Sequence, residues 1–196
     1  TLKYVDKVIV VDDGSRDSTA KIAEKAGGIV LKHIVNLGKG AAITTGCEYA
    51  ISKKADIIVL LDADGQHEPK EIPRFIKELK NNDMVFGART EKRKSMPFIL
   101  KYGNWFISKA TYLLSGIRLT DTLCGFRAFK SKVYNKIKWK SVGYSLEAEM
   151  IINVGKKRLK YTEIKISTIY SDKYKGTTVM DGMKIVGNMI WWKLSR

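Results

Sequence analysis

The chain holds 196 residues with 36 Lys+Arg against 20 Asp+Glu, a net charge of +16, and 44% of it is hydrophobic. That balance builds a buried core and excludes a disordered chain, and the length suits one domain. The two cysteines, Cys47 and Cys124, stand far apart and outside any CxxC or Cys/His cluster, which argues against a disulfide framework or structural zinc and fits a reducing compartment.

Val8–Val11 reads as a buried strand running into Asp12-Asp13-Gly14-Ser15. Ser18 or Thr19 starts a helix through about Ala26, and Gly27-Gly28 stops it. Ile29–Ile34 is a second strand, followed by a loop with Asn36, Gly38, Lys39 and Gly40. Ala41–Lys53 is helical, with Ile43, Cys47 and Ala50–Ile51 at three- and four-residue spacing. Ile57–Leu61 is fully apolar, as a central strand buried on both faces requires. It ends in Asp62-Ala63-Asp64-Gly65-Gln66-His67.

Glu68–Lys80 follows as a helix and Met84–Gly87 as a strand. Met96–Ile117 is an apolar, aromatic-rich helical region without a charge-free run of about 18 residues that could span a membrane. Gly125–Phe129 reads as a strand, Leu146–Lys157 as a helix and Ile164–Ile169 as a strand. A polar loop, Ser171–Thr178, precedes a final helix from about Met180. Alternating strands and helices indicate an α/β fold with a mostly parallel central sheet flanked by helices. Ligands of such sheets bind beyond the carboxyl ends of the strands, where both acidic clusters lie.

Asp62 and Asp64, at alternate positions in a tight turn, suit one hard divalent cation, Mg2+ or Mn2+, with a diphosphate completing its shell. Asp and Gly are also ordinary turn formers; the position directly after a central strand favours the metal. Asp12 and Asp13 can accept hydrogen bonds from a nucleobase or ribose, while Asp17 and Ser18 fit a helix cap. Asn36–Gly40 puts one lysine between two glycines before a helix, suited to phosphate or to a plain helix-start turn. It is not a Walker A loop.

Taken together, Val10–Asp17, Asn36–Gly40 and Leu61–His67 resemble the family 2 glycosyltransferases of GT-A (Rossmann-like) fold, and within them the polyprenyl-phosphate sugar synthases, such as dolichyl-phosphate mannose and glucose synthases. Gly87-Ala88-Arg89, Asp121-x-x-Cys124-Gly125-Phe126-Arg127 and Glu149 extend the match in order. The resemblance implies that Asp12 and Asp13 contact the nucleoside of a nucleotide-sugar and that Lys39 lies near it. It also implies that Asp62, Ala63 and Asp64 form the donor site, with Asp62, Asp64 and Gln66 holding the metal. Arg89 and Arg127 are implied at the acceptor phosphate, Asp121 near the reacting sugar, and Lys173 or Lys175 in a loop closing over the phosphates. Relatives often carry Arg in that loop, and lysine lacks its bidentate fork. His67 is expected behind the metal site and His33 in a structural role.

The implied reaction is inverting transfer from GDP-mannose, UDP-glucose or UDP-GlcNAc to a polyprenyl (dolichyl) phosphate. The implied location is peripheral, on the cytosolic face of a membrane. The aromatic segment at Phe98–Leu113 and the basic, apolar terminal helix suit contact with a membrane surface. Two rivals stand beside this reading: a nucleotidyltransferase, and a basic nucleic-acid-binding module suggested by the charge. Paired acids at strand ends would repel a phosphate backbone, so nucleic acid is not expected as a partner. Relatives begin with a further strand and helix, so the chain is expected to lack that first βα unit and its interior strand.

Overall fold

The structure, a computed structural model, describes residues 1–89, 108–143, 145–167, 169, 187, 188 and 191. Ile9–Asp12 (β1) and Ile29–Lys32 (β2) pair in parallel, Ile9 opposite Ile29 and Asp12 opposite Lys32. Thr19–Lys25 (α1) connects them. Asp17 starts that helix, its Oδ1 accepting the Thr19 N–H at 2.9 Å. Gly27, at φ +85°, stops it, and the N–H groups of Gly27 and Gly28 turn back onto the carbonyls of Glu24 and Ala23. Only a residue at ease in the left-handed region closes a helix in this way.

Lys39–Ser52 (α2) leads to Ile57–Leu60 (β3). A 3-10 turn at Pro69–Glu71 precedes Ile72–Glu78 (α3) and Met84–Arg89 (β4). The expected single helix over Glu68–Lys80 is divided because Pro69 and Pro73 suit a first turn but supply no N–H deeper in a helix. Arg127–Lys130 (β5), a second 3-10 turn at Ser131–Val133, Tyr134–Ile137 (α4), Leu146–Lys156 (α5) and Tyr161–Ile166 (β6) follow. Residues 108–115 are also helical. Residues 96–107, the Ser171–Thr178 loop with Lys173 and Lys175, and nearly all of the terminal segment lie outside the described residues.

The larger sheet has four strands in the order β3-β5-β4-β6. Its β3, β4 and β6 run the same way, and β5 runs against them, with Arg127 opposite both Leu60 and Phe86. That reversal positions the site, since a segment preceding a strand reaches the carboxyl edge of its neighbours only if that strand is antiparallel to them. Residues 121–126 are delivered there in this way. Among the described residues β1 pairs only with β2 and β3 only with β5, so the two sheets share no ladder.

Both faces of the larger sheet are covered. Met84 and Phe86 point into a core with Cys47 and Ala50 of α2, Tyr134 and Ile137 of α4, and Leu146, Met150 and Ile151 of α5. Val85, between them, points the other way, to Ile72 and Phe75 of α3. The period-2 alternation of β4 thus serves two cores, which is why its sequence carries no charged residue before Arg89. Phe75 stacks on Phe126 at a centroid distance of 4.1 Å. The α5 helix is buried from Leu146 through Val154 without a break, so its Glu147, Glu149 and Asn153 are forced to find partners inside the protein.

Candidate active site at the carboxyl ends of the strands

Asp12 closes β1, Asp62 follows β3 by two residues, Arg89 closes β4, and Lys39 opens α2. The geometry brings four sequence-distant loops to one edge. Asp12 is buried and its Oδ1 accepts the Ser15 N–H at 2.8 Å. Hydrogen bonding from Ser15 holds its carboxyl below the ordinary value. Asp13 faces the neighbouring loop. Its Oδ1 meets His33 Nδ1 at 2.7 Å and accepts the Leu37 N–H at 2.9 Å, and its Oδ2 accepts the Gly38 N–H at 2.8 Å. Partial burial pushes Asp13 upward, but His33 and the two loop amides outweigh it and leave its carboxyl low. His33 Nε2 is tied to Thr45 Oγ1 at 3.0 Å, which gives His33 the structural place expected of it.

The two glycines around Lys39 have a local reason. Gly38 sits at φ +94°, and a Cβ there would come 2.5 Å from the Val142 carbonyl; a Cβ on Gly40 would overlap the Ser141 carbonyl. The Gly40 N–H donates to Val142 O at 2.7 Å, and Trp139 Nε1 donates to Gly40 O at 3.0 Å. Close backbone approach here is therefore approach to residues 141–142. Glu149 braces that segment, its Oε2 accepting from the N–H groups of Lys140 and Ser141 at 3.0 Å each and from the Ser141 hydroxyl at 2.7 Å.

With its backbone pinned, Lys39 reaches inward. Its Nζ lies 2.7 Å from Asp62 Oδ1 and 2.8 Å from Glu147 Oε1. Burial lowers the lysine's pKa, but Glu147 and Asp62 together outweigh that and raise it. Gly125 is required beside this cluster, because any Cβ would run into the Asp62 carboxylate. The Asp62 N–H points at His67 Nδ1 at 3.4 Å, and His67 Nε2 lies 3.9 Å from Cys124 Sγ. Burial pushes the His67 pKa down, so the neutral ring stands behind Asp62 as a buttress. Ala63, Asp64 and Gly65 form the exposed tip of this turn. Asp64 Oδ1 accepts the Gln66 N–H at 3.0 Å, and Gly65 takes φ +79°. Among the described residues no three His, Cys, Asp or Glu side chains cluster as a metal site. The three residues expected to hold a metal, Asp62, Asp64 and Gln66, lie in this one turn.

Arg89 and Asp121 meet in a two-point pair, Nε to Oδ2 at 2.6 Å and Nη2 to Oδ1 at 2.8 Å, each side chain 11% exposed. Glu163 of β6 holds the loop beneath, accepting from the Thr120 N–H and hydroxyl at 2.8 Å and from the Asp121 N–H at 3.2 Å. Arg127 differs from expectation. It is 1% exposed, and its guanidinium donates to the carbonyls of Cys124 at 2.9 Å and of Glu147 and Thr122 at 2.8 Å. Those bonds tie the 122–127 turn to α5. Glu147 was not singled out in the sequence, where it stands in the first turn of a buried helix. A charged residue flanked on both sides by apolar helix positions is the signal that marks it.

A family model described as glycosyl transferase family 2 matches residues 2–138. The chain is 34% identical over 217 residues to the UDP-N-acetylglucosamine–dolichyl-phosphate N-acetylglucosaminyltransferase of Methanococcus voltae, covering 97% of this chain and 86% of that one. It is 28% identical over 194 residues to the undecaprenyl-phosphate mannosyltransferase of Micrococcus luteus, covering 93% and 79%. Among solved structures, glucosyl-3-phosphoglycerate synthase from Mycobacterium tuberculosis, in complex with Mn2+, UDP-glucose and phosphoglyceric acid, superposes with a TM-score of 0.72 at 20% identity, covering 94% of this chain and 69% of that one. This last likeness shows the fold alone, and that fold is GT-A.

Proposed function

The chain belongs to glycosyl transferase family 2 and is a glycosyltransferase, and from that premise we propose that it moves one sugar from a nucleotide-sugar to a polyprenyl phosphate of the dolichyl type, with inversion at the anomeric carbon. The observation that carries this reading is similarity along 97% of the chain to a transferase whose acceptor is dolichyl phosphate. Membership of the family sets the nucleotidyltransferase rival aside.

Asp12 and Asp13, at the carboxyl end of β1, are assigned to the nucleoside. Asp62, Asp64 and Gln66 would hold Mg2+ or Mn2+, a fit supported by hard oxygen donors and by an ammonium already resting 2.7 Å from Asp62 Oδ1 as a stand-in cation. Such a metal supplies charge neutralisation to the departing nucleoside diphosphate. Lys39 adds a cation at the same point. Arg89, paired with Asp121, is assigned to the acceptor phosphate. Lys173 and Lys175 are assigned to closure over the phosphates.

A phosphate monoester is already ionised near neutral pH, so the attack needs no strong general base. The neutral, buried His67 accords with that. Direct displacement by this oxygen inverts the anomeric centre. The acceptor's lipid tail needs an apolar approach, and the helical stretch 108–115 exposes Tyr112 (39%) and Leu113 (72%), with Trp191 (68%) exposed near the other end of the chain. No helix among the described residues is long and apolar enough to cross a membrane. We assign the protein to the cytosolic face as a peripheral enzyme.

The test is acceptor-dependent nucleotide release from UDP-GlcNAc, UDP-glucose and GDP-mannose with Mn2+ or Mg2+. One donor should release nucleoside diphosphate with dolichyl phosphate and not with dolichol. Equal release with both acceptors, or release only with a soluble phosphorylated acid, contradicts the reading.

A further inference from the structure

The contact between Lys39, Asp62 and Glu147 asks for more than a lysine waiting for a diphosphate. One ammonium lies within 2.8 Å of two carboxylates, so the trio carries a net negative charge. Glu147 is 5% exposed, and its Oε2 is buried without a hydrogen-bond partner. Holding a carboxylate in that state costs stability unless something compensates it. Lys39 is also poorly placed for the helix it opens, since a cation at a helix N-terminus opposes the macrodipole. Neither residue is explained by folding alone.

The backbone around Lys39 cannot shift, because Gly38 and Gly40 are packed against the carbonyls of Val142 and Ser141. Movement is left to its four-carbon stem, which has several rotamers within reach of the same spot. Asp62 is fixed from behind by Gly125 and by His67 at its N–H. The lysine side chain is thus the partner left with conformational freedom.

We propose that Lys39 is a built-in counter-ion of Asp62, occupying the cation position while no donor is bound, and that Glu147 is the positioning residue that retains the lysine when the donor's cation takes Asp62. This rests on the donor-site reading above. A metal ion alone must displace the ammonium and so binds weakly. A metal ion arriving with a nucleoside diphosphate gives the displaced ammonium a phosphate to pair with, so the two ligands bind together.

The experiment is Mn2+ binding to the full chain, read from the electron paramagnetic resonance signal of the free ion, first alone and then with UDP or GDP. Wild type should bind Mn2+ weakly alone and at least about tenfold more tightly with one nucleotide. K39M and K39Q, which remove a charge beside the ion, should bind Mn2+ alone at least about tenfold more tightly than wild type and lose most of the nucleotide's enhancement. K39R keeps the charge and should match wild type without nucleotide, which separates charge from packing and serves if the neutral variants fold poorly. If the neutral variants bind Mn2+ no more tightly than wild type while a nucleotide still recruits the ion, the counter-ion assignment falls and the donor-site reading stands. If no form binds Mn2+ with either nucleotide, both fall.

Discussion

Asp62 is held from three sides: Lys39 in front, Gly125 against its carboxylate and His67 behind its N–H. Asp62→Asn keeps the shape and removes the charge, so transfer should fall by at least about a hundredfold while the folded structure persists, measured by turnover beside circular dichroism. Asp64→Ala, at the exposed tip, should likewise abolish transfer; activity retained with saturating metal would defeat its assignment. Arg89→Lys tests the fork: losing two-point contact with Asp121 should cost roughly ten- to a hundredfold in kcat/KM. His67 gives a pH signature. Burial depresses its folded pKa below the unfolded value near 6.5, so the unfolded chain takes up the proton first. Stability is therefore fully present above that pH and declines as pH falls through the window beneath it. Thermal melts at pH 7 and pH 5 should show this loss, and H67Q should show less of it; an equal loss in the variant would contradict the assignment.

At the scale of elements, the start of α2 and residues 141–142 act as one clamp, with Glu149 bracing one side and Asp13 the other. Gly40→Ala drives a methyl into the Ser141 carbonyl, and should destabilise by about 1–3 kcal/mol in denaturant melts, the range for overpacking, while displacing Lys39. Stability and nucleotide affinity unchanged from wild type would deny the clamp. Strands and acidic turns here were legible because their signals are local: Ile57–Leu60 is an unbroken apolar run, and the Asp-Gly turn after it follows from turn chemistry. Glycine's left-handed freedom also marked the end of α1 correctly. What escaped was long-range. Nothing near Arg127 in the chain says that its donors will be spent on the carbonyls of residues 122, 124 and 147, and nothing near Glu147 says that Lys39 will come to it. The reversed direction of β5 was equally hidden, since a short apolar strand reads the same in either direction.

For the whole molecule, the fold gathers the ends of β1, β3 and β4 and the loop before β5 on one edge, where the residues proposed for donor, metal and acceptor lie together. On the proposed reading the charge of +16 serves phosphates and a membrane surface, so salt should weaken binding to anionic vesicles while leaving soluble nucleotide binding less affected. On the proposed reaction one sugar, without its phosphate, is joined to a polyprenyl phosphate, and mass spectrometry of the lipid product is the decisive measurement. Dolichyl phosphate heavier by a single glycosyl residue, with nucleoside diphosphate as co-product, is the expected result. A lipid diphosphate sugar with nucleoside monophosphate released, or free sugar with the lipid unchanged, would contradict it.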